Sequence, residues 1–258
     1  MAENTIKLQE IVEAVRTTYA NCSYYRDKGT TNSFFGGGKH CLVFETEYKN
    51  PENLVLKTYK EGEKDEENMT VFSVSEGLVK KRYSKSTIDF IKASEERFKF
   101  VAFLNSLFPK ATFHSSELEK QAKGRPLDSA SLFGLCDYKT NENVVYLLMP
   151  GHCKNWTEER LLQLSDKIIN GIDCYHIRCV YKPVQFWISK DDFLIRKVRT
   201  DINDFWHHAI MHNGSELALR FFGSELRNSN SKMERRLKKY INNPDYYTIG
   251  EFEEIEIG

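Results

Sequence analysis

Three histidines within six residues, His207, His208 and His212, are the first place where side chains could hold a metal ion. His208 and His212 are four residues apart and would share one helix face, as two imidazole ligands of zinc do. A zinc peptidase also needs Glu after the first of these histidines, but Ala209 is there, and no third ligand is evident. We therefore expect no metal site, and Trp206 beside the histidines indicates a partly buried segment.

A thiol and an imidazole are adjacent at His152 and Cys153. A cysteine nucleophile needs a base within hydrogen-bond reach and a third group that orients the base. Neighbours in sequence rarely face each other in that way, and nothing nearby supplies the third group. We therefore favour a loop at this position. An enzyme that uses these His or Cys residues remains the least favoured of three hypotheses for function, and the other two are given at the end of this section.

A run of three glycines, Gly36 to Gly38, precedes Lys39 and His40 and suggests a phosphate-binding loop. The run lacks the GxxxxGK[ST] spacing, and no helix pattern follows it, so a hairpin turn is favoured. The carboxylates are spread among Lys and Arg, and no acid–base pair stands out. The sequence therefore predicts no catalytic residue and no cofactor.

The composition excludes several classes of protein. The chain has 258 residues, of which 40% are hydrophobic, and 37 basic side chains balance 37 acidic ones. A net charge of zero disfavours general nucleic-acid binding, in which neutralisation of phosphates supplies most of the affinity. No apolar run approaches the roughly 20 residues that a membrane helix needs. The chain has enough apolar residues for a sizeable core, and we expect one domain over residues 1–258.

The pattern of apolar residues predicts an α+β fold in which antiparallel β structure dominates. Helical spacing appears in three segments, residues 6–19, 86–108 and 231–241. Extended patterns bounded by turn residues predict the strands, at residues 24–30, 40–48, 54–59, 70–74, 78–83, 144–149, 167–169, 174–180, 185–189, 193–198 and 246–257.

The aromatic content is high, with 17 Phe, 13 Tyr and 3 Trp. Composition alone favours ordinary core packing as the explanation. The functional alternative is a curved sheet and helices that enclose an apolar cavity. The segment 86–108 is apolar around much of its girth, so it must be covered on several sides or must itself cover something. Both interpretations stay open at this stage.

Six cysteines form no CxxC pair, so zinc-site spacing is absent. Cys174 and Cys179 are five residues apart on one predicted strand, so their side chains point to opposite faces and should not bridge. Cys22 and Cys41 lie on segments that should be neighbours, which makes them the better candidate pair.

Five segments together resemble the LolA-like family of extracytoplasmic lipoprotein carriers. They share a strand–turn–strand character and occur in the family's order, at residues 19–29, 44–54, 75–77, 169–177 and 186–196. The resemblance covers about residues 6–199, and residues 200–258 are an unassigned extension of the same domain. The family usually has Arg just before the proline of the second segment, whereas this chain has Asn50.

The resemblance implies a half-open antiparallel barrel wrapped around helices, with an apolar cavity that takes an acyl chain. It implies a ligand site formed by apolar side chains, with the Phe-rich helix as a lid. The implied residues are Phe44, Leu54, Phe72, Phe90, Phe98, Val101, Leu104 and Trp187.

The expected function is non-enzymatic binding of a lipid or lipoprotein acyl chain outside the cytosol. The alternative is an envelope regulator that binds a membrane-anchored protein partner through the same half barrel. The first residues show no export signal, which taken alone predicts a cytosolic protein. Because the family works outside the cytosol, the resemblance instead implies a signal peptide encoded upstream of Ala2 and a periplasmic location.

Overall fold

A computed structural model describes residues 7–35, 38–50, 53–89, 122–127, 139–150, 157, 160–180, 184–201 and 247–258. Two α-helices lie wholly within the described residues, α1 (Leu8–Ala20) and α2 (Lys139–Leu148). Five strands precede the middle of the chain, β1 (Tyr24–Phe35), β2 (Gly38–Lys49), β3 (Asn53–Tyr59), β4 (Thr70–Ser75) and β5 (Leu78–Arg82). Six more follow, β6 (Arg125–Pro126), β7 (Leu161–Ile169), β8 (Ile172–Cys179), β9 (Val184–Ser189), β10 (Ile195–Asp201) and β11 (Tyr247–Ile257).

The eleven strands form one antiparallel sheet in the order β6-β5-β4-β3-β2-β1-β11-β10-β9-β8-β7. Strands that follow one another in the chain are neighbours, as in a meander, except β6 and β7, which form the two edges of the sheet. The last strand, β11, lies beside β10 and also beside β1, the first strand. The prediction of a β-dominated fold built on an antiparallel sheet is confirmed.

The chain divides into two compact units. Unit 1 comprises residues 1–18, 32–40 and 155–251, and unit 2 comprises residues 19–31, 41–154 and 252–258. The residues of α1, β1, β2 and β11 are shared between the two units. The single domain expected from the sequence stays a prediction.

The core of unit 1 lies on one face of β8, β9 and β10. Phe186 of β9 is paired with Ile177 of β8 and Val198 of β10, and all three side chains are fully buried. Every second residue of these strands lies on this face. The other face is also buried at Cys174, His176, Trp187 and Ser189.

Two hairpin turns match their sequence signals. Glu76 and Gly77 join β4 to β5 with φ of 53° and 70°, and Asn170 and Gly171 join β7 to β8 with φ of 50° and 82°. Two consecutive residues with positive φ are typical of the turn whose twist suits a two-residue hairpin, and Asn-Gly is its commonest pair.

One predicted strand is wrong. Residues 144–149 belong mostly to helix α2, in which Val144, Val145, Leu147 and Leu148 are all buried. A short apolar run with β-branched residues fits a buried helix as well as a buried strand, and periodicity alone does not separate the two.

Two strand boundaries also differ. β7 begins at Leu161, six residues before the predicted start, because a bulge between Leu164 and Lys167 interrupts its alternation. β10 begins at Ile195, because Phe193 has φ of 57° and lies in the preceding turn.

Other predictions fall partly or wholly outside the described residues. Residues 85–89 are helical, and the rest of the predicted helix 86–108 is not described, nor is the predicted helix 231–241. Among the described helices, none has the length and apolar character needed to span a membrane.

Candidate functional site: the buried face of β2 to β5

The candidate site is one face of four neighbouring strands in unit 2. β3, β4 and β5 alternate between buried and less buried residues, so every second side chain faces the same side. We call this side the apolar face. Its apolar members are Phe44, Tyr48, Leu54, Leu56, Phe72, Val74 and Val79, all of them buried.

The first row across this face is wholly apolar apart from one hydroxyl group. Strand register places Tyr48 opposite Leu54, Leu54 opposite Val74, and Val74 opposite Val79. Side chains directly opposite each other in antiparallel strands are in contact distance, so the row is continuous from β2 to β5.

The second row has polar side chains at both ends. Thr46 is opposite Leu56, Leu56 is opposite Phe72, and Phe72 is opposite Lys81. Lys81 is only 5% exposed, and its ammonium nitrogen lies 4.4 Å from the centroid of the Tyr83 ring. An ammonium group over an aromatic face is attracted by the ring quadrupole.

Unit 2 also buries a carboxyl group. The Tyr25 hydroxyl donates to Asp27 Oδ2 at 2.7 Å, and the Thr46 backbone N–H donates to Asp27 Oδ1 at 3.1 Å. Burial raises the pKa of Asp27 to about 7, although both hydrogen bonds act to lower it. Asp27 is therefore close to half protonated at neutral pH.

Two tyrosines accompany this carboxyl group. The ring of Tyr19, from the end of α1, lies 5.5 Å from that of Tyr25 between centroids. Burial raises the pKa of Tyr25 well above its usual value, and the Asp27 charge raises it further. The Tyr25 phenol is therefore a protonated donor at neutral pH.

Three of the predicted ligand-binding residues are brought together. Phe44, Leu54 and Phe72 all lie on the apolar face of unit 2. Phe90, Phe98, Val101 and Leu104 lie outside the described residues, so their role as a lid stays a prediction.

Another predicted ligand-binding residue, Trp187, is on β9. It lies in unit 1 on the face of β9 opposite to the buried Phe186 and Ile188. Its ring stacks on His176 with centroids 4.4 Å apart, and the Lys197 ammonium is 5.6 Å from its centroid.

The neighbours of Trp187 form a polar network. His176 Nε2 and Gln185 Oε1 are 3.0 Å apart, and Gln185 donates to Asp201 at 3.3 Å. Lys197 donates to Glu251 at 2.6 Å, and burial lowers the pKa of His176. The role of Trp187 as a cavity residue stays a prediction.

The cysteine pairing predicted from the sequence is wrong. Cys22 and Cys41 are both free thiols, as are Cys174 and Cys179 of β8. The Cys22 thiol donates instead to the Tyr24 carbonyl oxygen at 3.3 Å. Burial raises the pKa of Cys22, and that of Cys174 to about 11, so neither is a thiolate nucleophile at neutral pH.

The chemical candidates singled out in the sequence lie largely outside the described residues. This holds for His152, Cys153, His207, His208 and His212. Within the described part of the chain, no group of three or more His, Cys, Asp or Glu side chains could hold a metal ion. β1 ends at Phe35 and β2, its neighbour, begins at Gly38, which agrees with a hairpin at the glycine run.

Sequence reasoning missed Lys81 and Asp27. The only signal for Lys81 is its spacing of two from Val79, and for Asp27 its spacing of two from Tyr25. Period-two spacing puts each polar residue on the face of a buried neighbour, yet polar residues in strands are usually assigned to the exposed face.

Comparison with known proteins gives structural matches alone. No family model matches the chain, and no curated protein matches it. A DUF1329 family protein from Desulfovibrio piger matches with TM-score 0.37 and 8% identity, covering 96% of this chain and 91% of that one. A LolA superfamily protein from Nitrosomonas europaea matches with TM-score 0.32 and 11% identity, covering 76% and 72%.

A third match is an outer-membrane lipoprotein-sorting protein domain from Vibrio parahaemolyticus. Its TM-score is 0.33 at 7% identity, with 96% of this chain and 91% of that chain covered. What this chain binds has to follow from its own residues.

Proposed function

We propose that the chain is a non-enzymatic, extracytoplasmic binding protein that holds the acyl chain of a lipid or lipoprotein. The observation that carries the proposal is the apolar face, which continues without interruption across four strands in its Tyr48 row. Three gaps between strands of about 4.8 Å make such a row about 14 Å long.

The energetics of such binding are favourable. Each buried CH₂ group contributes about 0.8 kcal/mol, so a chain of ~14 carbons supplies on the order of 10 kcal/mol before ordering costs. Binding and release need only exchange one apolar environment for another. In this proposal the segment with Phe90, Phe98, Val101 and Leu104 covers the apolar face and moves to admit the chain.

The first test is native mass spectrometry of protein purified without detergent, followed by solvent extraction. A co-purifying acyl species is the expected result. An empty protein that captures a membrane-anchored polypeptide would favour the alternative, an envelope regulator that uses the same face.

The second test compares two large-to-small substitutions in buried positions. Leu56, on the apolar face, and Ile188, in the core of unit 1, are both buried. The two variants are Leu56→Ala and Ile188→Ala. Each should lower the free energy of unfolding by about 2–5 kcal/mol. Only Leu56→Ala should also change the affinity for a fluorescent fatty acid; equal binding by both variants would contradict the proposed site.

The third test fills the predicted cavity. Val101→Trp should weaken binding of the same fluorescent fatty acid, because the larger side chain occupies space that the acyl chain needs. His208→Ala and Cys153→Ala should leave binding unchanged. If Val101→Trp binds the fatty acid normally while either polar substitution abolishes activity, the proposed site is wrong and the enzyme hypothesis is reopened.

A further inference from the structure

Lys81 differs from the other cations of its strand. β5 contains Lys80, Lys81 and Arg82 in succession, and strand alternation turns only Lys81 to the apolar face. Lys80 and Arg82 are exposed, and Arg82 donates to Glu66 at 2.9 Å. Lysine is among the residues that are least often buried, and here one lies opposite Phe72 in the strand register.

The position of Lys81 on the face is also particular. It ends the row that runs through Phe72 and Leu56 to Thr46, and β5 is the last long strand before the two-residue strand β6. The Tyr83 ring holds the ammonium group at 4.4 Å. A positive charge therefore lies at one end of a row about 14 Å long, and the two middle members of this row, Leu56 and Phe72, are apolar.

This arrangement matches the chemistry of one class of ligand. A single-chain amphiphile has an apolar chain and a charged head, and an anionic head group gains from a cation in a site of low dielectric constant. We propose that Lys81 binds the anionic head group of the amphiphile, a carboxylate or a phosphate, while the chain extends over Phe72 and Leu56. This inference rests on the proposed function and adds the charge of the ligand to it.

The experiment compares head groups on one chain length. Binding of palmitate, hexadecyl phosphate and hexadecanol to the whole chain is measured by displacement of a neutral fluorescent alkyl probe. At least one anionic ligand should bind about tenfold or more tighter than hexadecanol, since a charge-assisted hydrogen bond is stronger than a neutral one. The tighter of palmitate and hexadecyl phosphate identifies the head group.

Variants of neighbouring lysines assign the preference to one side chain. Lys81→Met should remove the preference for the anion and keep hexadecanol binding, and Lys81→Arg should retain the preference. Lys80→Met, one residue away on the opposite face, is the matched control and should behave as wild type. Circular dichroism tests whether each variant is folded. If Lys81→Met is unfolded, the proposal is tested by the wild-type affinities for palmitate and hexadecyl phosphate relative to hexadecanol.

The outcomes separate the two proposals. If wild type binds palmitate, hexadecyl phosphate and hexadecanol equally, the role of Lys81 is wrong while acyl binding stands. If Lys80→Met loses the preference and Lys81→Met keeps it, the assignment to Lys81 is also wrong. If no alkyl ligand binds, the proposed function itself fails.

Discussion

At the scale of single residues, the buried carboxyl group of Asp27 links stability to pH. Its pKa is about 7 in the folded chain and near 3.8 when exposed, with Tyr25 and Thr46 as its hydrogen-bond donors and Tyr19 beside Tyr25. A carboxyl group with a raised pKa stabilises the fold in its protonated form. That contribution is full below pH 3.8 and is lost as the pH rises through about 7.

We therefore expect the difference in unfolding free energy between wild type and Asp27→Asn to change with pH. Asparagine is neutral throughout and its side-chain oxygen can accept from the Thr46 N–H. From pH 4 to pH 8, the free energy of unfolding of wild type should fall by about 4 kcal/mol relative to that of Asp27→Asn. This figure follows from about 1.4 kcal/mol per pKa unit. Urea denaturation across this range measures it, with Asp65→Asn at an exposed position as the control. A constant difference would show that Asp27 does not titrate as described.

A second prediction concerns the turn between β7 and β8. Gly171 has φ of 82°, and a Cβ added there would meet no atom within 4 Å. Gly171→Ala should therefore cost about 1–2 kcal/mol from backbone strain alone. Asn170→Gly should be nearly neutral, because asparagine already tolerates its φ of 50°. Urea midpoints measure both, and equal losses in the two variants would contradict this account.

The role of a residue could be predicted from sequence when it depends on neighbours in the chain, and not when it depends on a neighbour in another strand. Asn170 and Gly171 carry their own turn signal, so the hairpin was predictable. Phe44, Leu54 and Phe72 follow from alternation within their own strands. Lys81 depends on its register with Phe72 across the β4–β5 pair, and no local pattern contains that information.

At the scale of elements, the strands differ in how well the sheet protects them. β7 is an edge strand with one partner, and its Leu162, Leu164 and Ile168 are exposed, the last to 72%. β9 has a partner on each side, and its Phe186 and Ile188 are fully buried. An edge strand with few buried contacts belongs to the less stable part of a fold.

Hydrogen exchange should therefore separate these two strands. We expect amides of β7 to exchange faster than those of β9, by at least about tenfold in the native state. Backbone exchange followed by mass spectrometry measures the rates, with β10, which also has two partners, as the internal reference. Equal protection of β7 and β9 would show that β7 is covered in solution.

Elements were predictable where both ends carry turn chemistry. Short turns join β2 to β3 and β4 to β5, and the order of these strands in the sheet is their order in the chain. Helix α2 was predicted as a strand because Val144 and Val145 favour extended structure. A buried helix can also contain consecutive buried residues, and this segment is such a helix. The insertion of β11 between β1 and β10 depends on contacts between residues far apart in sequence, which local patterns do not show.

At the scale of the whole molecule, the question is whether the two units unfold together. α1, β1, β2 and β11 each contribute residues to both units. An element that belongs to two units cannot lose its structure in one without interrupting hydrogen-bonded strands that continue into the other. Small single domains usually unfold in one cooperative transition, and this interleaving extends that expectation to the whole chain.

We therefore predict one transition in urea, observed by probes in each unit. All three tryptophans are numbered within residues 155–251, so their fluorescence reports on unit 1. Cys22 is a buried free thiol of unit 2, and its labelling rate, followed by peptide mass spectrometry, reports on that unit. The two midpoints should coincide within error, with labelling of Cys174 in unit 1 as the control for the thiol method. If Cys22 becomes reactive at a clearly lower urea concentration than the one that changes the fluorescence, the units are separate folding domains, because unit 2 would then open while unit 1 is intact.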